Sequence, residues 1–253
     1  MRIRRRYAVG LSLAAAGAVA VAGIALAAPD GNHSTLVANV IPSKLPKTNY
    51  KQAKLFTHVS TTYAHPGSKP QGGFVRKTQI WYDDDGKINA NAVPVCNQSL
   101  ANTTMAQAMS RCGSAKVGTG KAVATSTANA NIPACVLVFN GPRQNGNPTV
   151  LLHTRIQGSN CSQPAGNNSG SLTVLLKGVI KPASGDFGNI LEVDKIDTQP
   201  LPLKDYQATV GGGNNYITAR CHDTNHTLNA KAKFTYSDGQ SDVVNYSKPC
   251  TVG

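Results

Sequence analysis

The chain has 253 residues and carries 25 Lys and Arg against 12 Asp and Glu, a net charge of +13. That length fits one large β domain or two small ones and can bury a sizeable core unaided. The basic residues are scattered singly, not gathered into a stripe with aromatics, which argues against nucleic-acid binding. It leaves a weak attraction to anionic cell-envelope polymers as the partner the charge supports.

Residues 1–27 read as an export signal. Arg2, Arg4, Arg5 and Arg6 form a positive start, and no charge follows from Tyr7 to Ala27. Ala25-Leu26-Ala27 is a small-x-small site, so cleavage is expected after Ala27. The alternative is an uncleaved anchor, because the apolar run is long enough to span a bilayer. Loss of four arginines with the signal leaves 21 basic against 12 acidic residues, a net +9. A cleaved chain is expected in the envelope or outside the cell, without stable membrane insertion.

Residues 28–50 carry Pro29, Pro42 and Pro46 without clean periodicity. They read as an extended leader or linker, with a first edge strand over 36–41. Residues 51–253 read as a single β-rich domain. Leu55, Thr57, Val59, Thr61 and Tyr63 alternate with polar neighbours, and 74–82 forms a second strand holding the only tryptophan, Trp81. Asp83-Asp84-Asp85-Gly86 makes a turn. Further strand patterns follow at 115–125, 134–139, 150–156, 172–180, 190–196, 216–221, 228–236 and 242–246. Asn145-Gly146 and Ser237-Asp238-Gly239 are hairpin signals among the turns that separate them. Roughly ten short strands without strand–helix alternation predict an antiparallel sandwich or barrel.

One stretch breaks this pattern. From Thr104 to Arg111 the chain is rich in Ala, Gln and Met and free of Gly and Pro, which predicts a short helix. Asn102, Thr103 or Thr104 would cap its start, and Gly113 a left-handed end. Such a helix is marginal in water unless pinned. Its place is expected over an open end or edge of the sheet.

Six cysteines stand at 96, 112, 135, 161, 221 and 250, and an even count behind an export signal implies disulfides. Sequential pairing, Cys96–Cys112, Cys135–Cys161 and Cys221–Cys250, crosses the fewest elements. No C-x-x-C is present, which disfavours zinc.

Few residues suggest chemistry. Asp83 and Asp85 are weak calcium candidates. The Asp-Gly-x-Ile order matches the middle of an EF-hand, but Trp81 and Ala92 stand where ligands are required. His222 and His226 lie four apart, but on a turn rather than a helix. His58 and His153 fall inside strand patterns, where they face solvent or hydrogen-bond in the wall. No G-x-S-x-G nucleophile elbow occurs. Glu192 is the only glutamate, so a glycosidase pair would need Asp186, Asp194, Asp197 or Asp205.

The segment Cys96–Gly120, with its A-Q-A-x-x-x-C-G-S-A-x-V-G-x-G order, is followed by Val138-Phe139-Asn140-Gly141 and Leu151-Leu152-His153-Thr154. Tyr216–Cys221, Phe234–Gly239 and a terminal Pro249-Cys250 come later. This order resembles a family of exported, uncharacterised actinobacterial proteins, from about residue 75 to the end. The resemblance implies export, paired cysteines and one β-rich domain, and it transfers no catalytic residue. The expectation is an exported, non-catalytic binding or structural module without a cofactor. The alternatives are an extracellular hydrolase acting on envelope polymer or carbohydrate, and a calcium-dependent adhesive module.

Overall fold

A computed structural model describes residues 31–63, 73–127, 130–156, 161, 172–222 and 226–253. The expected export signal over 1–27 and the cleavage expected after Ala27 lie outside the described residues.

Sixteen strands occur among the described residues. Eleven of them build one sheet: β1 (His33–Ile41), β4 (Lys54–Thr62), β5 (Val75–Asp83), β7 (Lys116–Ala124), β8 (Ile132–Gln144), β9 (Asn147–Ile156), β10 (Thr173–Pro182), β11 (Phe187–Val193), β12 (Leu203–Gly211), β14 (Thr227–Tyr236) and β15 (Ser241–Pro249). Five short strands complete the set: β2 (Lys44–Leu45), β3 (Lys51–Gln52), β6 (Gly86–Ile88), β13 (Ile217–Ala219) and β16 (Thr251–Val252). The order across the large sheet is β1-β4-β12-β7-β8-β9-β10-β11-β5-β14-β15, with every neighbour antiparallel.

The sheet curls until its edge strands meet, which resolves the sandwich-or-barrel question as a nearly closed barrel. No ladder joins β1 to β15. Side chains close the seam instead: Ser34 donates its backbone N–H to Asp242 Oδ2 at 2.9 Å, Ser34 Oγ meets Tyr236 OH at 2.9 Å, and Tyr246 OH donates to Asn39 Oδ1 at 2.9 Å. Residues 33–41 are therefore a full barrel strand, paired along their whole length with β4, and not merely the fringe of a leader.

Turn chemistry sets the hairpins. Asn145 and Gly146 both have positive φ, 51° and 80°, as a two-residue turn between twisted strands requires. At Ser237-Asp238-Gly239 the glycine stands at φ 90° and Asp238 Oδ1 accepts from Gln240 N–H. Gly120 on β7 has a different reason, since a Cβ there would overlap the Gln207 carbonyl of β12.

Period-two alternation gives the barrel two apolar surfaces. The inward set, including Val136, Val138, Leu152, Val174, Leu176, Ile80, Phe234 and Val244, forms the main core. On β8, β9 and β10 the outward set is apolar too: Leu137, Phe139 and Leu151 are buried beneath the helix, and Leu175 is partly so. These strands therefore read as near-continuous apolar runs.

The helix α1 (Met105–Cys112) covers that second surface. It lies on the outer wall of the barrel, not over an end or an edge, because its apolar partners are the outward residues of three central strands. Thr104 is the N-cap in a capping box: Thr104 Oγ1 accepts from Gln107 N–H, and Gln107 Oε1 accepts from Thr104 N–H at 2.8 Å. At the other end Gly113 is right-handed (φ −57°) and opens a 3-10 turn over Gly113–Ala115, so the expected left-handed cap is absent. The disulfides are Cys96–Cys112, Cys135–Cys161 and Cys221–Cys250, the sequential pairing. The first closes the α1 segment and packs in the outer core.

Candidate functional site

A small sheet of β3, β13 and β6 adjoins β4, β5 and β12 in the chain. Ala53 N–H donates to Ile217 O, Asn89 N–H to Tyr216 O, and Arg220 N–H to Asp85 O. This brings Ile88, Tyr216 and Ile217 against the inward residues of β4 and β12. Between them the barrel keeps an unfilled space of about 120 Å³. Its wall is overwhelmingly apolar, drawn from Val59, Ile80, Val138, Leu152, Leu176, Val193, Ala208 and Phe234 among others. A second space of about 40 Å³ shares Leu55, Tyr82, Ile88 and Ile217 with the first.

Three tyrosines aim into this apolar space, and their hydroxyls differ. Tyr82 OH is satisfied by Thr57 Oγ1 at 3.1 Å. The hydroxyls of Tyr206 and Tyr216 are both enclosed and have no hydrogen-bond partner among the described residues. Tyr216 is only 1% exposed. Burial pushes the Tyr82 phenol up to about 12 and raises Tyr206 and Tyr216 as well, so all three are neutral donors at physiological pH. The buried Thr57, Thr61 and Thr78 and the half-buried Ser60, Lys204 and Asp205 add the remaining polar character of the lining.

The sequence-predicted candidates are used elsewhere. Asp83 Oδ1 accepts from Asp85 N–H at 3.0 Å and its Oδ2 from Asn229 N–H at 2.7 Å. Asp85, 1% exposed, accepts from Arg220 Nε at 2.6 Å and from His222 N–H at 2.6 Å. Arg220 and Lys87 in turn stack on the Tyr50 ring. The carboxylates of Asp83, Asp84 and Asp85 do lie within 4.8 Å of one another. Asp83 and Asp85 nonetheless spend their oxygens clamping the β5–β6 turn to β13 and β14.

His153 lies beneath the start of α1, fully buried. Its Nε2 faces Thr103 Oγ1 at 2.9 Å and Thr103 O at 3.1 Å, while Thr103 Oγ1 donates to Leu100 O at 2.8 Å. With the Thr103 proton committed, Nε2 carries the ring proton. Burial first, and the nearby Arg155 charge as well, lower the His153 pKa. The structure also joins a pair that sequence spacing did not: His58 Nε2 and Asp205 Oδ2 are 2.8 Å apart. The bond to Asp205 raises the His58 pKa. The neighbouring Ser60 hydroxyl is engaged with Thr35 Oγ1 at 2.9 Å. Asp194 accepts from Lys195 N–H, and Asp197 from Ser237 Oγ. Glu192 sits between Lys77 and Lys181, 2.9 Å from each. The four aspartates considered for a glycosidase pair thus include three with separate partners.

No protein-family model, curated protein or solved structure matches this chain. The site rests on its own geometry.

Proposed function

We propose that this protein is an exported, disulfide-stabilised binding module that is not an enzyme, and that its barrel interior holds a small apolar molecule. The observation that carries this reading is the apolar space of about 120 Å³ inside a barrel whose other core lies buried beneath α1. A cavity of this order accommodates a benzene-sized guest. Three disulfides and no free cysteine among the described residues support an oxidising, extracytoplasmic setting. His153, Asp85 and Asp194 do not line the space, and Asp205, which does, is paired with His58, which supports binding over hydrolysis. The barrel is apolar inside and presents Lys77, Gln79 and Lys231 on its outer wall, the inverse of a lipid-spanning barrel. That basic outside is compatible with a weak hold on anionic envelope polymers.

The test is calorimetric titration of the oxidised protein with methylcyclohexane or toluene. Saturable one-to-one binding with a negative heat-capacity change supports the reading. No binding by either guest, together with turnover of a polysaccharide substrate, would replace it with the hydrolase.

A further inference from the structure

We infer that the guest is uncharged and mainly apolar but carries a hydrogen-bond acceptor, a carbonyl, ester or ether oxygen, which the Tyr206 and Tyr216 hydroxyls bind. This rests on the cavity reading above and names the chemistry of its ligand.

The argument starts from the accounting of buried polar atoms. A buried hydroxyl without a partner costs about 1–3 kcal/mol, so native interiors rarely tolerate one. Nine buried side-chain polar atoms lack a hydrogen-bond partner among the described residues, and two of them are the hydroxyls of Tyr206 and Tyr216, tyrosines that line this one apolar space. Tyr82 in the same wall shows the ordinary solution, a threonine at hydrogen-bond distance. Tyr206 and Tyr216 have no such neighbour, though each reaches the space from a different element, β12 and the segment leading into β13. A phenylalanine at either position would offer the same ring without the unsatisfied hydroxyl. The hydroxyls therefore fit a guest that supplies the missing acceptor.

The wall also selects against charge. Among the described residues its only charged side chains are Lys204 and Asp205. Asp205 is committed to His58 at 2.8 Å, and Lys204 has an interaction of its own. An anionic headgroup would lose its hydration without a dedicated cation. A neutral oxygen loses less and gains a phenol donor.

The experiment compares three six-ring probes on the oxidised wild-type chain and on Tyr206→Phe and Tyr216→Phe. The probes are cyclohexanone, methylcyclohexane and cyclohexanecarboxylate, titrated by calorimetry. The expected result is about a 5–10-fold loss of cyclohexanone affinity in at least one Phe variant, the size of a single neutral hydrogen bond. Methylcyclohexane affinity should stay the same or improve. Both Phe variants should fold, because the change removes only an unpaired oxygen, and their thermal midpoints confirm it. If cyclohexanone binds wild-type and both variants equally, the hydroxyls are not its partners; the inference is overturned and the cavity reading stands. If cyclohexanecarboxylate binds the wild-type chain more tightly than cyclohexanone, the guest is an anion paired with Lys204, which also overturns it. If no probe binds the wild-type chain, the cavity reading fails and the inference fails with it.

Discussion

Strands β8, β9 and β10 bury both their faces, and the two resulting cores differ. The outer one, beneath α1, is filled: Phe139 is fully buried, Leu137, Leu151, Ala108 and Ala115 close around it, and Cys96–Cys112 ties the covering segment down. The inner one, using the alternate residues of the same strands, leaves about 120 Å³ unfilled. Close packing is the default of protein interiors, and deviations from it cost stability. The filled core thus reads as the scaffold that lets the other remain open.

The largest test of that division lies in the outer core. Phe139→Ala should cost about 3–5 kcal/mol, because a buried ring is lost with little room for collapse. Urea denaturation measures it. A loss below 1 kcal/mol would mean the outer core is as loose as the inner one. Replacing Cys96 and Cys112 by serine should cost about 3 kcal/mol, by releasing a loop with a sequence separation of 16. Proteolysis of the oxidised and serine forms should then show new cleavage in 97–111, since a two-turn helix is marginal alone.

Acid should attack the same core. The His153 pKa is lowered, so the folded state favours the neutral ring. Its stabilisation is present above the ordinary value of 6.5 and is lost as pH falls from there through the folded value. The wild-type chain should lose urea stability across that window more steeply than His153→Gln. Equal slopes would show that His153 is hydrated rather than sealed beneath α1. His58 is shifted upward and works in the opposite sense, but it is common to both proteins and drops out of the difference.

In the inner core the sign reverses. Ala208 lines the empty space, and Ala208→Val adds apolar atoms into it. The gain should be about 1 kcal/mol, near the value of one buried methylene after some repacking. Guest affinity should fall in the same variant. Destabilisation by 1–3 kcal/mol would instead mark an overpacked site and remove the argument for an open interior.

How much of this was legible in the chain divides along the same line. The scaffold was: alternation gave most strands, Asn145-Gly146 its hairpin, and the even cysteine count with sequential pairing the three bridges. The position of α1 was not, because a short amphipathic helix does not reveal which apolar surface it meets. The outward apolar residues Leu137, Phe139 and Leu151 were the available signal. The cavity was hardest to see. Residues 203–211 carry Tyr206, Ala208 and Val210 at strand spacing, but Pro200, Pro202 and Gly211-Gly212-Gly213 interrupt the pattern on either side. A register irregularity between Leu203 and Asp205 also broke the alternation at its start. A void, moreover, belongs to no residue; it is what eleven strands fail to fill.

The smallest effect concerns the seam that lets the inner core close. Asp242 faces inward at the β1–β15 junction, 1% exposed, with Oδ2 bonded to Ser34 N–H and Oδ1 without a partner among the described residues. Burial raises its pKa above the ordinary 3.8, more than the Ser34 and Val243 amides and the nearby His33 charge lower it. The folded state therefore prefers the protonated acid. Its contribution is fully present below 3.8 and is lost as pH rises through the folded value. Asp242→Asn keeps an oxygen for Ser34 N–H and removes the charge. The variant should match wild-type near pH 3 and become the more stable of the two toward pH 7, by less than the Ala208→Val gain. Thermal midpoints across pH 3–7 measure it. If wild-type is instead the more stable at pH 7, the ionised carboxylate holds the seam shut, and closure of the inner core is electrostatic where that of the outer core is covalent and packed.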